Sequence, residues 1–369
     1  MTECLVMTLL RSVYLLVVLM APMLASAQQD QQSSAASQID HVMQSHAAAR
    51  DFSGSVLVAR EGRILYEHAF GYANLEWKIP NDLQTKFEIG SMTKQFTALL
   101  VLQYVNEGKI KLDGHLGDYL PYYRKDTGSR ITVRQLLDHT SGLPNFISAP
   151  GFLEGPASRT KFTVRDFAEK YCSGDLEFEP GTKFNYSNSG YFLLGAVLQQ
   201  VSGKSYEQIL RERIFTPLGM HDSGYTHAEA IIPHRAAGYE RSESGLRNAR
   251  FYDMSIPFAA GALYSTVGDL FLWDQALYGD RLLPAGLRDL LFKPNLQNYG
   301  FGWGILIPEP RSPYAGEQIP MHGGAIFGFQ SVIERIPAHK ELIVLLDNND
   351  SPKLLDIATE IRRVLSESH

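Results

Sequence analysis

The sequence predicts an α/β (α+β) molecule in which one antiparallel sheet, built from both ends of the chain and flanked by helices, carries a mainly helical lobe inserted in the middle. Three observations predict it. Apolar, β-rich runs stand near the start, in GSVLVAREGRILYEHAFGYAN, and again near the end, in FGWGILI, FQSVIERIP and ELIVLLDN. Between them the apolar spacing becomes helical, and the segments carry their own start and stop signals. The 369 residues, 44% hydrophobic and 20% charged, have an ordinary globular composition.

The first stretch, MTECLVMTLLRSVYLLVVLMAPMLASAQQD, has the basic Arg11, an apolar run, and small residues at Ala25 and Ala27. This reads as a signal peptide over 1–27, cut after Ala27, which would place the mature chain in the periplasm or outside the cell with no stable membrane anchor. Glu3 is out of place in a positive leader, which makes Met7 an alternative start; an uncleaved anchor is the other reading of the apolar run. Residues 28–38 read as a polar linker, and folding is expected to begin near Ile39.

A single domain is expected over 39–369, with an α/β lobe at about 39–110 and 295–369 and a helical lobe at about 111–294. Ser55 to Ala59 and Arg63 to Phe70 flank Glu61-Gly62 and predict a hairpin. IGSMTKQFTALLVLQYVNEG predicts a helix buried on nearly all sides, because Met92, Phe96, Leu99 and Leu100 recur at helical spacing and Val101 and Leu102 fill the remaining faces. Further helices are expected in ITVRQLLDHTSG, FTVRDFAEKYC, SGYFLLGAVLQQVSG, YEQILRERIF and STVGDLFLWDQALY. Thr132, Thr163 with Asp166, and Thr266 with Asp269 mark starts, and Gly203 marks a stop. LLDIATEIRRVL closes the chain as an amphipathic helix.

Composition excludes several classes of function. A formal net charge of −6, with no run interleaving basic and aromatic residues, gives nothing for a phosphate backbone, so no nucleic-acid partner is expected. Cys4 would leave with the leader, so the mature chain keeps Cys172 alone and forms no internal disulfide; Cys172 reads as a packed small apolar residue. There is no GxSxG elbow and no HExxH pair, and neither metal nor cofactor is implied. The oligomeric state is not legible.

Three short motifs carry the chemistry. Ser91 and Lys94 form SxxK at the start of the buried helix, where residues three apart share a face and the amine can reach the hydroxyl. Burial and the positive helix end both favour a neutral amine able to take a proton, and free N–H groups of the first turn can face an oxyanion. Ser91 as a plain helix cap with a solvated Lys94 is the competing reading. A second SxxK, Ser158 to Lys161, lies in a Gly- and Pro-rich loop. A tyrosine whose pKa is lowered by a cation could share the proton work. Of three YxN matches, Tyr104 lies too far along the helix from Ser91, Tyr72 follows a strand and stays open, and Tyr186 with Asn188 sits at a turn feeding an apolar helix. HxG occurs at His115 in a turn and at His322-Gly-Gly324 just ahead of the last strands, where glycine lets another backbone come close, as a substrate added to a sheet edge would. His139, in LLDHTSGLP, reads as scaffold: it and the adjacent Asp138 cannot form a relay with a serine.

In this order, Ser91-x-x-Lys94, Tyr186-x-Asn188 and His322-x-Gly324 resemble the three motifs of the serine β-lactamase and penicillin-binding protein superfamily. The surrounding VRQLLDHTSGLP, FNYSNSGYFLLG and AAGALYSTVGDLFLW are similar as well, closest to the branch with class C β-lactamases, D-Ala-D-Ala carboxypeptidases and β-lactamase-like esterases. The resemblance implies an acyl-enzyme on Ser91, with Lys94 and Tyr186 sharing general base and acid work in an order the sequence leaves open. It implies Asn188 on the substrate amide and an oxyanion hole from the N–H groups of Ser91 and Ala325. The expected partner is a small-molecule or peptide substrate, cell-wall peptides included. His322 stands where class C β-lactamases carry lysine. A mostly neutral imidazole holds a carboxylate less strongly, which turns the expectation toward an ester or D-amino-acid peptide bond and away from β-lactams; a purely structural role is the other reading of His322. A β-lactamase or a non-turnover penicillin sensor is the alternative.

Overall fold

Strands β1 (Gly54–Arg60) and β2 (Arg63–Phe70) form the expected hairpin around Glu61-Gly62, whose φ values of 53° and 75° suit the tight turn. In the computed structural model, which describes residues 32–368, they join β3 (Gly304–Leu306), β4 (Ile319–Ile326), β5 (Phe329–Ile336) and β6 (Glu341–Asp347). The six-stranded sheet has the order β3-β4-β5-β6-β1-β2, and every pairing is antiparallel. Both ends of the chain thus meet in the middle of one sheet, with Gly54 opposite Asp347 and Arg60 opposite Glu341.

A strand pair flanked on both faces must be apolar through its middle, and β1 from Val56 to Ala59 and β6 from Leu342 to Leu346 are. Leu57 and Ala59 point into the larger core, shared with α2 (Thr93–Asn106), α3 (Asn188–Ser202) and α4 (Val267–Ala276). Val56 and Val58 point the other way, onto a helix α1 spanning 32–48 and onto α5 (Leu354–Glu367). The α2 helix is buried from Thr93 through Leu102, as its all-round apolar character demands. Thr132, Thr163 and Thr266 each accept a backbone N–H three residues on, which closes the predicted helix starts, and α3 stops at Gly203 with φ 68°.

Two expectations change. Residues 32–38 are the first turns of α1 and not linker. Ala35, Ile39 and Met43, all buried, form one stripe against the sheet, and a single small alanine among glutamines and serines was too faint a periodic signal to mark its start. The leader and residues 28–31 lie outside the described residues. The His322-Gly323-Gly324 segment, expected just ahead of the strands, is itself strand: it forms the middle of β4. Among the described residues no helix is long and apolar enough to cross a membrane.

Candidate active site

Ser91 lies in the single 3₁₀ turn Gly90–Met92, ahead of α2, and Met92 occupies the N-cap position with no side-chain cap. Ser91 is therefore not a helix cap. Lys94, one turn on, is 0% exposed. Its Nζ has three oxygens in reach: Ser91 Oγ at 3.1 Å, Asn188 Oδ1 at 2.7 Å and the Ala260 carbonyl at 2.8 Å. Burial holds the amine well below the ordinary lysine range. A neutral amine has two hydrogens and one lone pair. The Asn188 and Ala260 oxygens can only accept, so they take both hydrogens, and the lone pair is left to the Ser91 hydroxyl.

Tyr186, half-buried, closes the other side, with the Lys94 amine 4.8 Å from its ring centre. Burial raises the phenol above the ordinary tyrosine range, and a hydrogen bond with Ser91 offsets part of that rise. The sequence suggested a cation that would lower this pKa. Burial outweighs any such lowering, and the phenol lies above its ordinary range.

Asn188 opens α3 and is turned by a neighbour the sequence did not single out. Asn145 Oδ1 accepts from the Asn188 backbone N–H at 3.2 Å and from its Nδ2 at 3.3 Å, which leaves the Asn188 Oδ1 for Lys94. The Ala260 carbonyl was equally invisible, since a backbone oxygen carries no signature in residue type.

His322 is buried on β4. Its Nδ1 lies 2.6 Å from the Gly323 carbonyl, so Nδ1 bears the hydrogen and Nε2 accepts from the Tyr299 hydroxyl at 2.9 Å. Burial pushes the imidazole down to about 4. The ring is thus neutral and fully hydrogen-bonded near pH 7. Tyr299, in the unremarkable QNYGFGW stretch, is a second residue that sequence reasoning missed.

Glycine is needed at two places where backbones touch. A Cβ on Gly324 would stand 2.0 Å from the Ile89 carbonyl and 2.4 Å from Ser331 Oγ. The close partner is thus the protein's own chain just before Ser91, whereas the sequence suggested a substrate. Gly90, at φ 50°, would place a Cβ 2.9 Å from the Ala325 nitrogen. Counted from the two-residue turn Phe327-Gly328, the β4–β5 ladder directs the Ala325 N–H away from β5 and toward the Gly90–Ser91 turn. The pairing with β3 ends at Met321, so β4 from His322 onward keeps an open edge there.

Ser91, Tyr186, Asn188 and Ala325 line a cleft of about 490 Å³, and His322 and Gly324 line a second cavity that also reaches Ser91 and Tyr186. Phe146, Ile147, Leu153 and Phe327 add apolar lining to the cleft, and Arg241, Arg247 and Arg250 line it together with Glu240 and Asp350. The other motif copies lie elsewhere. Ser158 donates to the Gly155 carbonyl and Lys161 pairs with Glu229. Tyr72 is 41% exposed and Tyr104 lies under the Arg213 guanidinium; neither lines the cleft. Cys172 is a free, buried thiol in the larger core. His139 packs behind Tyr186, a placement that its loop-like sequence did not disclose.

A family model described as Beta-lactamase matches residues 39–365. Penicillin-binding protein 4* of Bacillus subtilis is 31% identical over 320 residues, covering 81% of this chain and 68% of that protein. Protein flp of Staphylococcus aureus is 27% identical over 318 residues, covering 82% and 61%. Among solved structures, a penicillin-binding protein from Bacillus halodurans superposes with a TM-score of 0.76 at 26% identity over 90% of this chain and 100% of that one. The D-amino acid amidase of Ochrobactrum anthropi SV3, complexed with D-phenylalanine, gives 0.78 at 25% over 91% and 100%. EstCE1, a hydrolase with promiscuous acyltransferase activity, shares the fold with a TM-score of 0.77 at 23% identity over 91% and 99%. With the family match over most of its length, the chain belongs to the beta-lactamase family within the serine β-lactamase and penicillin-binding protein superfamily, and is a serine hydrolase of that family.

Proposed function

We propose that this protein is an exported hydrolase that forms a covalent acyl-enzyme on Ser91 and acts on an ester or a D-amino-acid amide or peptide bond. The observation that carries the reading is the fully buried Lys94 amine 3.1 Å from the Ser91 hydroxyl, its other two oxygen contacts being acceptors only. Lys94 takes the hydroxyl proton as Oγ attacks the carbonyl carbon, and the negative charge formed on the carbonyl oxygen is met by the N–H groups of Ser91 and Ala325. As the tetrahedral adduct breaks, Tyr186 gives its proton to the leaving oxygen or nitrogen, and the phenol is reprotonated from the Lys94 ammonium. Water then attacks the acyl carbon, loses its proton to the same pair, and Ser91 leaves with a proton restored.

A neutral, satisfied His322 supports ester or D-amino-acid chemistry over β-lactam hydrolysis, because it offers no fixed charge to a substrate carboxylate. The cleft suits a substrate with an apolar body, and three arginines against two carboxylates in its lining favour an anionic group on that substrate. Intact-mass and turnover measurements with p-nitrophenyl esters, D-amino-acid amides, a D-Ala-D-Ala peptide and a chromogenic cephalosporin test the reading. Turnover of the first two sets, abolished by Ser91→Ala, is expected. Fast cephalosporin hydrolysis would favour a β-lactamase, and an adduct that persists would favour a sensor.

A further inference from the structure

His139 is 1% exposed and sits at the centre of a ring of aromatics. Its ring centre lies 4.2 Å from that of Tyr186, 4.7 Å from Tyr299 and 5.1 Å from Tyr191. The Ser187 backbone N–H, next to Tyr186, donates to His139 Nδ1 at 3.1 Å, and the Asn185 N–H donates to the His139 carbonyl at 2.9 Å. One residue thus grips the chain on both sides of Tyr186 and stacks on its ring.

Two features of His139 are costly for the fold. Its φ of 58° is a left-handed conformation that non-glycine residues seldom adopt. With Nδ1 accepting, the ring hydrogen sits on Nε2, and this buried N–H has no hydrogen-bond partner among the described residues. An orphaned donor on a strained stretch of backbone, directly behind the proposed proton donor, calls for a reason beyond packing, which a phenylalanine would serve without the unpaired N–H.

We propose that His139 is a positioning residue for Tyr186: by holding the chain on both sides of it and stacking on its ring, it fixes the phenol against Ser91 for the proton transfer. This rests on the reading of Tyr186 as the acid that protonates the leaving group. A reaction whose leaving group needs that proton depends on His139, and one whose leaving group departs unaided does not.

The test is a leaving-group series on the full chain, from p-nitrophenyl ester through alkyl ester to anilide of one acyl group, for the wild type, His139→Phe and His139→Asn. The phenylalanine keeps a ring and loses both nitrogens. The asparagine keeps an acceptor for the Ser187 N–H and tolerates the backbone conformation. Labelling of Ser91 by a fluorophosphonate confirms that each variant is folded. For His139→Phe, or for His139→Asn should the former not fold, kcat on the alkyl ester or anilide is expected to fall about 100-fold, KM to stay within about threefold, and kcat on the p-nitrophenyl ester to fall by less than about fivefold. With both folded, the asparagine recovers part of the loss. An equal loss across the series, or none, overturns the proposal while leaving Ser91 chemistry intact; wild-type turnover that survives Ser91→Ala would overturn the functional reading itself.

Discussion

Asn145 Oδ1 accepts two hydrogens from Asn188, one from its backbone and one from its side chain, at 3.2 and 3.3 Å. That clamp decides which end of the Asn188 amide meets Lys94. In Asn145→Ala the amide is free to turn its NH₂ toward the lysine, which costs the amine an acceptor and misplaces it. We predict a fall in kcat of about 100-fold with little change in KM, measured on a p-nitrophenyl ester.

Lys94 must be neutral to act, and burial holds its pKa well below the usual lysine range. Acylation is therefore expected to rise with pH through that depressed value and to be complete far short of pH 10. Lys94→Met, which keeps volume and removes the base, should lower the acylation rate by about 10²- to 10⁴-fold and abolish that limb of the profile. Stopped-flow burst kinetics across pH reads both.

His322 is lowered from the ordinary imidazole value to about 4, so the unfolded chain takes up its proton first as pH falls. Its contribution to stability is present above about pH 6.5 and is lost progressively down to about pH 4, a total of about 3 kcal/mol. Denaturant unfolding of wild type and His322→Asn at pH 7 and pH 4 should show the difference between them shrinking by an amount of that order.

Gly324→Ala would drive a methyl group into the Ile89 carbonyl. The sheet can absorb this only by moving the chain that leads into Ser91. The variant is expected to fold, to lose at least about 10-fold in kcat, and to label more slowly with a fluorophosphonate.

Arg247 and Arg250 share the buried Glu240 carboxylate, at 2.8 and 2.9 Å. Two guanidiniums on one carboxylate leave positive charge facing the cleft. Arg250→Ala should reduce the preference for a carboxylate-bearing ester over its neutral analogue by about 10-fold in kcat/KM, with the neutral ester little affected. An unchanged ratio would remove the anionic end from the proposed substrate.

Much of the architecture was legible because burial writes itself into spacing. The all-round apolar pattern of α2 announced a helix with no wet face, and threonines at 132, 163 and 266 announced helix starts. Ser91, Lys94, Tyr186 and Asn188 converge because short local motifs fix their spacing and the fold supplies the rest. What stayed hidden depends on long-range contact. Asn145 is 43 positions from Asn188, and Tyr299 meets His322 through a hydroxyl that no periodicity predicts. The strand character of His322 to Ala325 was masked by two glycines, which weaken every β signal, and of which Gly324 admits the Ile89 backbone.

Joining the sheet from both termini has a consequence for biosynthesis. Ser53, beside β1, is held by Asp347, 294 positions later, so the first hairpin waits with an unsatisfied flank while nearly the entire polypeptide is made. Closing so long a loop costs little more entropy than closing a short one, yet it delays assembly. The nucleophile can be seated only after the last strands leave the ribosome, and a nascent chain cut short before them would display sticky apolar ribbons with no catalytic capacity.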